Sequence, residues 1–113
     1  VEGYVDGITL AGDRYYLKGW ACVRASTNSI PVHVYADGPA GSGILVLGAT
    51  ANLLSEPIIG EICGSGSQSH RYSIDITVLR GQYSNRRLFV HGLNLADPNR
   101  NYYLRGSGLC MVP

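Results

Sequence analysis

His70 and Arg71 stand side by side in the stretch SQSHRYSIDI (residues 67–76), where a loop runs into an alternating segment. Imidazole and guanidinium together offer planar donors with a fixed geometry. The preceding long connection adds the carboxylate of Glu56, and other connections add the amides Asn28, Asn94, Asn99 and Asn101 with Asp97. Planar polar groups of this kind bind neighbouring sugar hydroxyls two at a time, each hydroxyl being both donor and acceptor. A tyrosine or histidine face can stack beneath the apolar side of a sugar ring. A plainer alternative is that Glu56 and Arg71 pair with each other and anchor the long connection.

Other constellations carry less chemistry. YADGPAGSG (35–43) has the glycines of a phosphate cradle but no following lysine or helix, so it is read as a turn. Asp13 and Asp37 lack the spacing of a calcium loop. His33 and His91 lie mid-strand with no third ligand spaced for zinc and are read as structural. Trp20 is expected to fill the core beside a cysteine. Ser55, Ser65, Ser67 and Ser69 lie near His70, but no nucleophile elbow is present. Glu56 and Glu61 sit in one small connection, which leaves no deep cleft for glycoside cleavage. The expectation is a protein without catalysis, metal or cofactor.

The elements that must position these residues read as strands. Turn residues recur every 8 to 12 positions and no stretch has helical periodicity. Seven strands are expected, at 3–11, 14–23, 30–37, 43–52, 70–79, 87–95 and 101–112. The default for such a chain is all-β: one antiparallel two-sheet sandwich of about seven strands over residues 1–113, of the immunoglobulin or fibronectin-III kind. A small closed barrel is the alternative. The connection 53–68, LLSEPIIGEICGSGSQ, carries paired leucines and isoleucines and should pack against the body.

If strands alternate in direction, the connections 24–29, 53–69 and 96–100 share one end, and 12–13, 38–42 and 80–86 the other. Cys22 and Cys63 then fall at the same end and can meet as a disulfide, leaving Cys110 at the opposite end as a buried thiol or a link between chains. A disulfide suits an extracellular, oxidising setting. Nine basic and eight acidic residues nearly balance, which gives no reason to expect nucleic acid or an anionic membrane. No apolar run approaches the ~20 residues of a membrane span. The chain opens at Val1 with no basic-then-apolar leader, as a processed mature protein or an excised module would.

The strings GYVDGI, LKGWAC, IPVHVYADGPAGSG, ATANLLSE, HRYSI, FVHGLN and LRGSG span nearly the whole chain. Together they resemble small β-sandwich modules of secreted bacterial proteins, often found beside carbohydrate-active domains. In size, cysteine usage and N-terminus the chain is also similar to small extracellular lectins, including those of green algae. The resemblance implies a secreted binding module without catalysis and assigns no binding residue. The expected function is therefore a lectin, with galactose or N-acetylgalactosamine as first ligand, acting as a homodimer or larger and able to agglutinate cells. The alternatives are an adhesion module that meets proteins and a protease inhibitor that presents the long connection.

Overall fold

The structure is a computed structural model and describes residues 1–66, 68–98 and 102–113. β1 (Glu2–Ala11) and β2 (Arg14–Cys22) form a hairpin closed at Gly12, whose φ of 63° suits a residue without a Cβ. β3 (Pro31–Ala36) and β4 (Ile44–Thr50) form a second hairpin. β5 (Leu53–Leu54), β6 (Ser69–Asp75), β7 (Arg87–Gly92) and β8 (Cys110–Met111) complete the strands among the described residues.

Two antiparallel four-stranded sheets result. Sheet A has the order β1-β2-β6-β5 and sheet B the order β4-β3-β7-β8. In immunoglobulin lettering these are A-B-E-D and C′-C-F-G, so the expected sandwich is present with eight strands rather than seven. The period-two alternation places Leu17, Val32, Val34, Ile74 and Val90 between the sheets, all nearly or wholly buried. Tyr72 lies there too, and its hydroxyl donates to the Tyr4 carbonyl oxygen at 3.0 Å. Gly19 makes room for that ring, because a Cβ there would collide with the Tyr72 hydroxyl and the Tyr4 carbonyl.

Three expected strands are shorter than read. β6 stops at Asp75, whose Oδ1 accepts the Thr77 N–H at 3.0 Å and turns the chain into a single 3-10 turn, Thr77–Arg80. β7 stops at Gly92, because Asn94 Oδ1 takes the Ala96 and Asp97 N–H groups and folds a turn. The last strand shrinks to Cys110–Met111, since Gly106 and Gly108 adopt φ of 88° and 83° and break the extended run.

The expectation of no helix is also corrected. α1 (Pro57–Cys63) occupies the long connection, opened by Pro57 and closed by Gly64 in the left-handed region at φ 63°. Seven residues show barely two turns, too few for a 3.6 period to be read, and Gly60 with three isoleucines gives little intrinsic propensity. Tertiary packing holds the helix instead. Cys63 is bonded to Cys22 across a Cα separation of 6.2 Å, and Ile59 packs on Trp20. Trp20 is thus buried beside the cysteines as expected, but between sheet A and the helix rather than between the sheets.

Candidate functional site

Arg71 is the fixed point of the outer face of sheet A. It lies on β6 opposite Trp20 of β2 and Leu53 of β5. Its Nε donates to both Glu56 carboxylate oxygens at 3.1 Å, and its Nη2 to Oε2 at 2.7 Å. Its Nη1 meets Asp6 Oδ2 at 2.7 Å and the Gly19 carbonyl at 3.4 Å. One guanidinium thereby joins the residue that precedes α1 to β1 on the far side of β2. Its pKa is raised, first by the Glu56 bond and also by Asp6, while burial works against both. The Glu56 carboxyl is held below its usual range, chiefly by the Arg71 bond.

His70 does not share that face. Neighbouring residues of a strand point to opposite sides, so Arg71 outside requires His70 inside. The ring is fully buried, with Nε2 2.9 Å from Ser65 Oγ and no hydrogen-bond partner for Nδ1 among the described residues. Burial lowers its pKa and favours the neutral imidazole.

The amides separate likewise. Asn28 is exposed in the turn between β2 and β3, where its N–H donates to Ser26 Oγ at 3.2 Å. Asn94 engages its own turn and borders a hollow with Arg24 and Tyr102 at the loop end. Asn99 and Asn101, like Ser67, lie outside the described residues. The structure therefore brings Glu56 and Arg71 together, buries His70 beneath them, and sets Asn28 and Asn94 on the loop rim.

Sequence reasoning passed over the residues that make the larger feature. A groove of about 450 Å³ runs along the outer face of sheet A beside Arg71. Asp6, Thr9, Lys18 and Ser73 supply its polar side chains, and Leu53 and Leu54 of β5 an apolar wall. Its floor is shaped by the bulge after Val5, where Gly7 takes φ 146° and a Cβ would meet nothing within 4 Å. Lys18, Arg71 and Ser73 are mid-strand and alternate with buried Leu17, Tyr72 and Ile74. That parity was the available signal, and it points to a strand face rather than to the loops.

The opposite sheet carries rings instead. His33 and His91 are a cross-strand pair on sheet B. His91 packs edge-on to Tyr35 at 5.1 Å between centroids and to Tyr103 at 6.0 Å, and its Nε2 accepts the Ala40 N–H at 3.0 Å. That acceptor role fixes the neutral ring with its proton on Nδ1. Burial first, and His33 second, lower its pKa. At the turn end Asp37 pairs with Arg86, and Cys110 is a half-buried free thiol whose pKa burial raises. No helix is long and apolar enough to cross a membrane, and no cluster of three or more His, Cys, Asp or Glu able to hold a metal occurs among the described residues.

No protein-family model, curated protein or solved structure matches the chain.

Proposed function

We propose that the chain is a secreted, non-catalytic lectin whose glycan lies in the groove on the outer face of sheet A. The observation that carries this reading is the groove itself: hydroxyls, a carboxylate and an ammonium opposite an apolar wall, on strands locked by the Arg71 ties. Sugars present hydroxyl edges and an apolar ring face, and a groove with one polar and one apolar side suits both. Galactose and N-acetylgalactosamine are the first ligands to test. Agglutination then needs two grooves per particle. A homodimer supplies them, with Cys110 as its candidate covalent link, and pairing raises avidity by ~100-fold or more. A disulfide is compatible with secretion.

The test is a glycan array followed by calorimetry on the parent and on Ser73→Tyr, which fills the groove from an exposed strand position. The expected result is binding by the parent, loss in Ser73→Tyr at an unchanged melting temperature, and agglutination that free sugar inhibits. Binding that survives Ser73→Tyr but fails in Asn28→Ala or Asn94→Ala moves the site to the loop rim. An array with no retained glycan overturns the reading.

One observation favours the adhesion alternative. Leu54, Ile58 and Ile62 are 76%, 56% and 41% exposed, and the two isoleucines lie four apart on one face of α1. A protein contact made there would withstand free sugar, which separates the two readings. The inhibitor alternative has less support, because the long connection presents a disulfide-tied helix rather than an extended segment.

A further inference from the structure

We infer that the groove on sheet A prefers an acidic sugar, a hexuronate, over its neutral counterpart, and that Lys18 is the residue that reads the carboxylate. This rests on the lectin reading of the same groove and goes beyond it in the ligand's charge.

Two of the three charged residues that line the groove, Asp6 and Arg71, are already committed to each other. Arg71 lines the groove, but its Nε and Nη2 face Glu56 and its Nη1 faces Asp6 and the Gly19 carbonyl. It therefore stiffens the site and has little left for a ligand. Asp6 gives one carboxylate oxygen to Arg71 and leaves the other for a hydroxyl. Lys18 is the other cation of the lining, and it makes no ion pair among the described residues. It is also the only lysine in a chain with eight arginines.

Its surroundings leave room for an anion. Lys18 stands on β2 between Gly7 of β1 and Ser73 of β6. Gly7 has no side chain, and the space where one would stand is open. Ser73 places a hydroxyl on the other side. The ammonium is a compact charge with three donors on a flexible stem, able to follow a ligand carboxylate. A neutral sugar gives it only hydroxyl acceptors, whereas a uronate gives a charge-assisted bond of about twice the strength. Asp6 and Glu56 would repel an anion, but both are held on Arg71, and Glu56 does not line the groove. The sugar's acid group therefore belongs over Gly7 and Ser73, with its hydroxyls toward Asp6 and Thr9 and its apolar face on Leu53 and Leu54.

A chain with one lysine allows a direct readout. Reductive methylation with ¹³C-formaldehyde labels that side chain and keeps its charge. The labelled protein is titrated with galacturonate, its methyl ester and galactose, and affinities are taken in parallel by calorimetry. The expected result is at least tenfold tighter binding of galacturonate than of galactose or the ester, with a shift of the Lys18 methyl signal, and a preference that falls as salt is raised. Lys18→Met should erase the ratio, and Lys18→Arg should retain most of it. Equal affinities for the three sugars, or a ratio unchanged in Lys18→Met, overturn the inference and leave the lectin reading standing. Binding of none of them, together with an empty glycan array, overturns both.

Discussion

The outer faces of the two sheets solve the same problem with different chemistry. Each sheet turns one side to the shared core and must dispose of the polar and aromatic groups on the other. On sheet A the solution is charge and cover. Arg71 ties Glu56 to Asp6 across the strands, α1 shields Trp20 and the disulfide, and a groove stays open beside them. On sheet B it is stacked rings. His91 sits between Tyr35 and Tyr103, and the connection before β4 lies against it through the Ala40 N–H. An ion-paired face keeps its polar groups at the surface and leaves space between them. The ring-packed face fills the space around His91 and keeps a smaller hollow of about 350 Å³ beside His33 and Gly48. This is why the candidate site lies on sheet A although both histidines of the cross-strand pair lie on sheet B.

The largest expected effect separates the cover from the sheet beneath it. Replacing Cys22 and Cys63 by alanine should cost about 2–5 kcal/mol, as for other small disulfide-bonded domains. It should also loosen α1 from Trp20, the only tryptophan, so its fluorescence should move to the red while the His91 ring signals stay in place. Equal disturbance at both would show that the two faces are not independent.

A second expectation concerns acid. His70 and His91 both have folded pKa values lowered by burial, so both are neutral in the native state and gain protons on unfolding below the ordinary histidine value of about 6.5. The unfolded state then binds more protons, and stability falls as pH falls. The histidine contribution is complete above about pH 6.5 and is lost below it, toward the lowered folded values, at up to about 1.4 kcal/mol per pH unit for each proton taken up. Denaturant titrations from pH 7.5 to 5 check this. His91→Gln should remove the sheet B share of the slope and leave that of His70. A flat profile would mean that the rings are not neutral and buried.

Arg71→Ala should have a smaller effect, about 1–2 kcal/mol. Charged hydrogen bonds are lost, but both carboxylates reach solvent and are not stranded. Trp20 fluorescence should change little, because the disulfide still holds the helix. If melting is unaffected, the Arg71 ties do not lock the strands of the sheet A face.

The strands, the two ends of the sandwich and the Cys22–Cys63 pairing were legible because they follow from alternation, turn residues and strand direction. β5 runs in the same sense as β4 and so breaks the strict alternation, yet it is two residues long and leaves the ends where they were expected. The site was only half legible. Glu56 and Arg71 could be matched as opposite charges bracketing one connection. Asp6 could not, because its approach to Arg71 depends on a bulge in β1 and on β2 lying between β1 and β6. The inward turn of His70 was readable, since it shares parity with Tyr72 and Ile74, but adjacency in the sequence suggested a shared role. Lys18 and Ser73 stood in plain alternation and gained meaning only once sheet order made them neighbours.

The solitary lysine has a practical side. Amine-reactive dyes, biotin esters and coupling to activated resins or sensor chips all attack lysine side chains, and in this chain only Lys18 offers one. Acylation there would strip the charge and lodge a bulky group in the groove. If the groove is the glycan site, a protein labelled at Lys18 loses binding on the surface meant to reveal it. Attachment through a peptide tag leaves both the groove and the Cys110 thiol as they are.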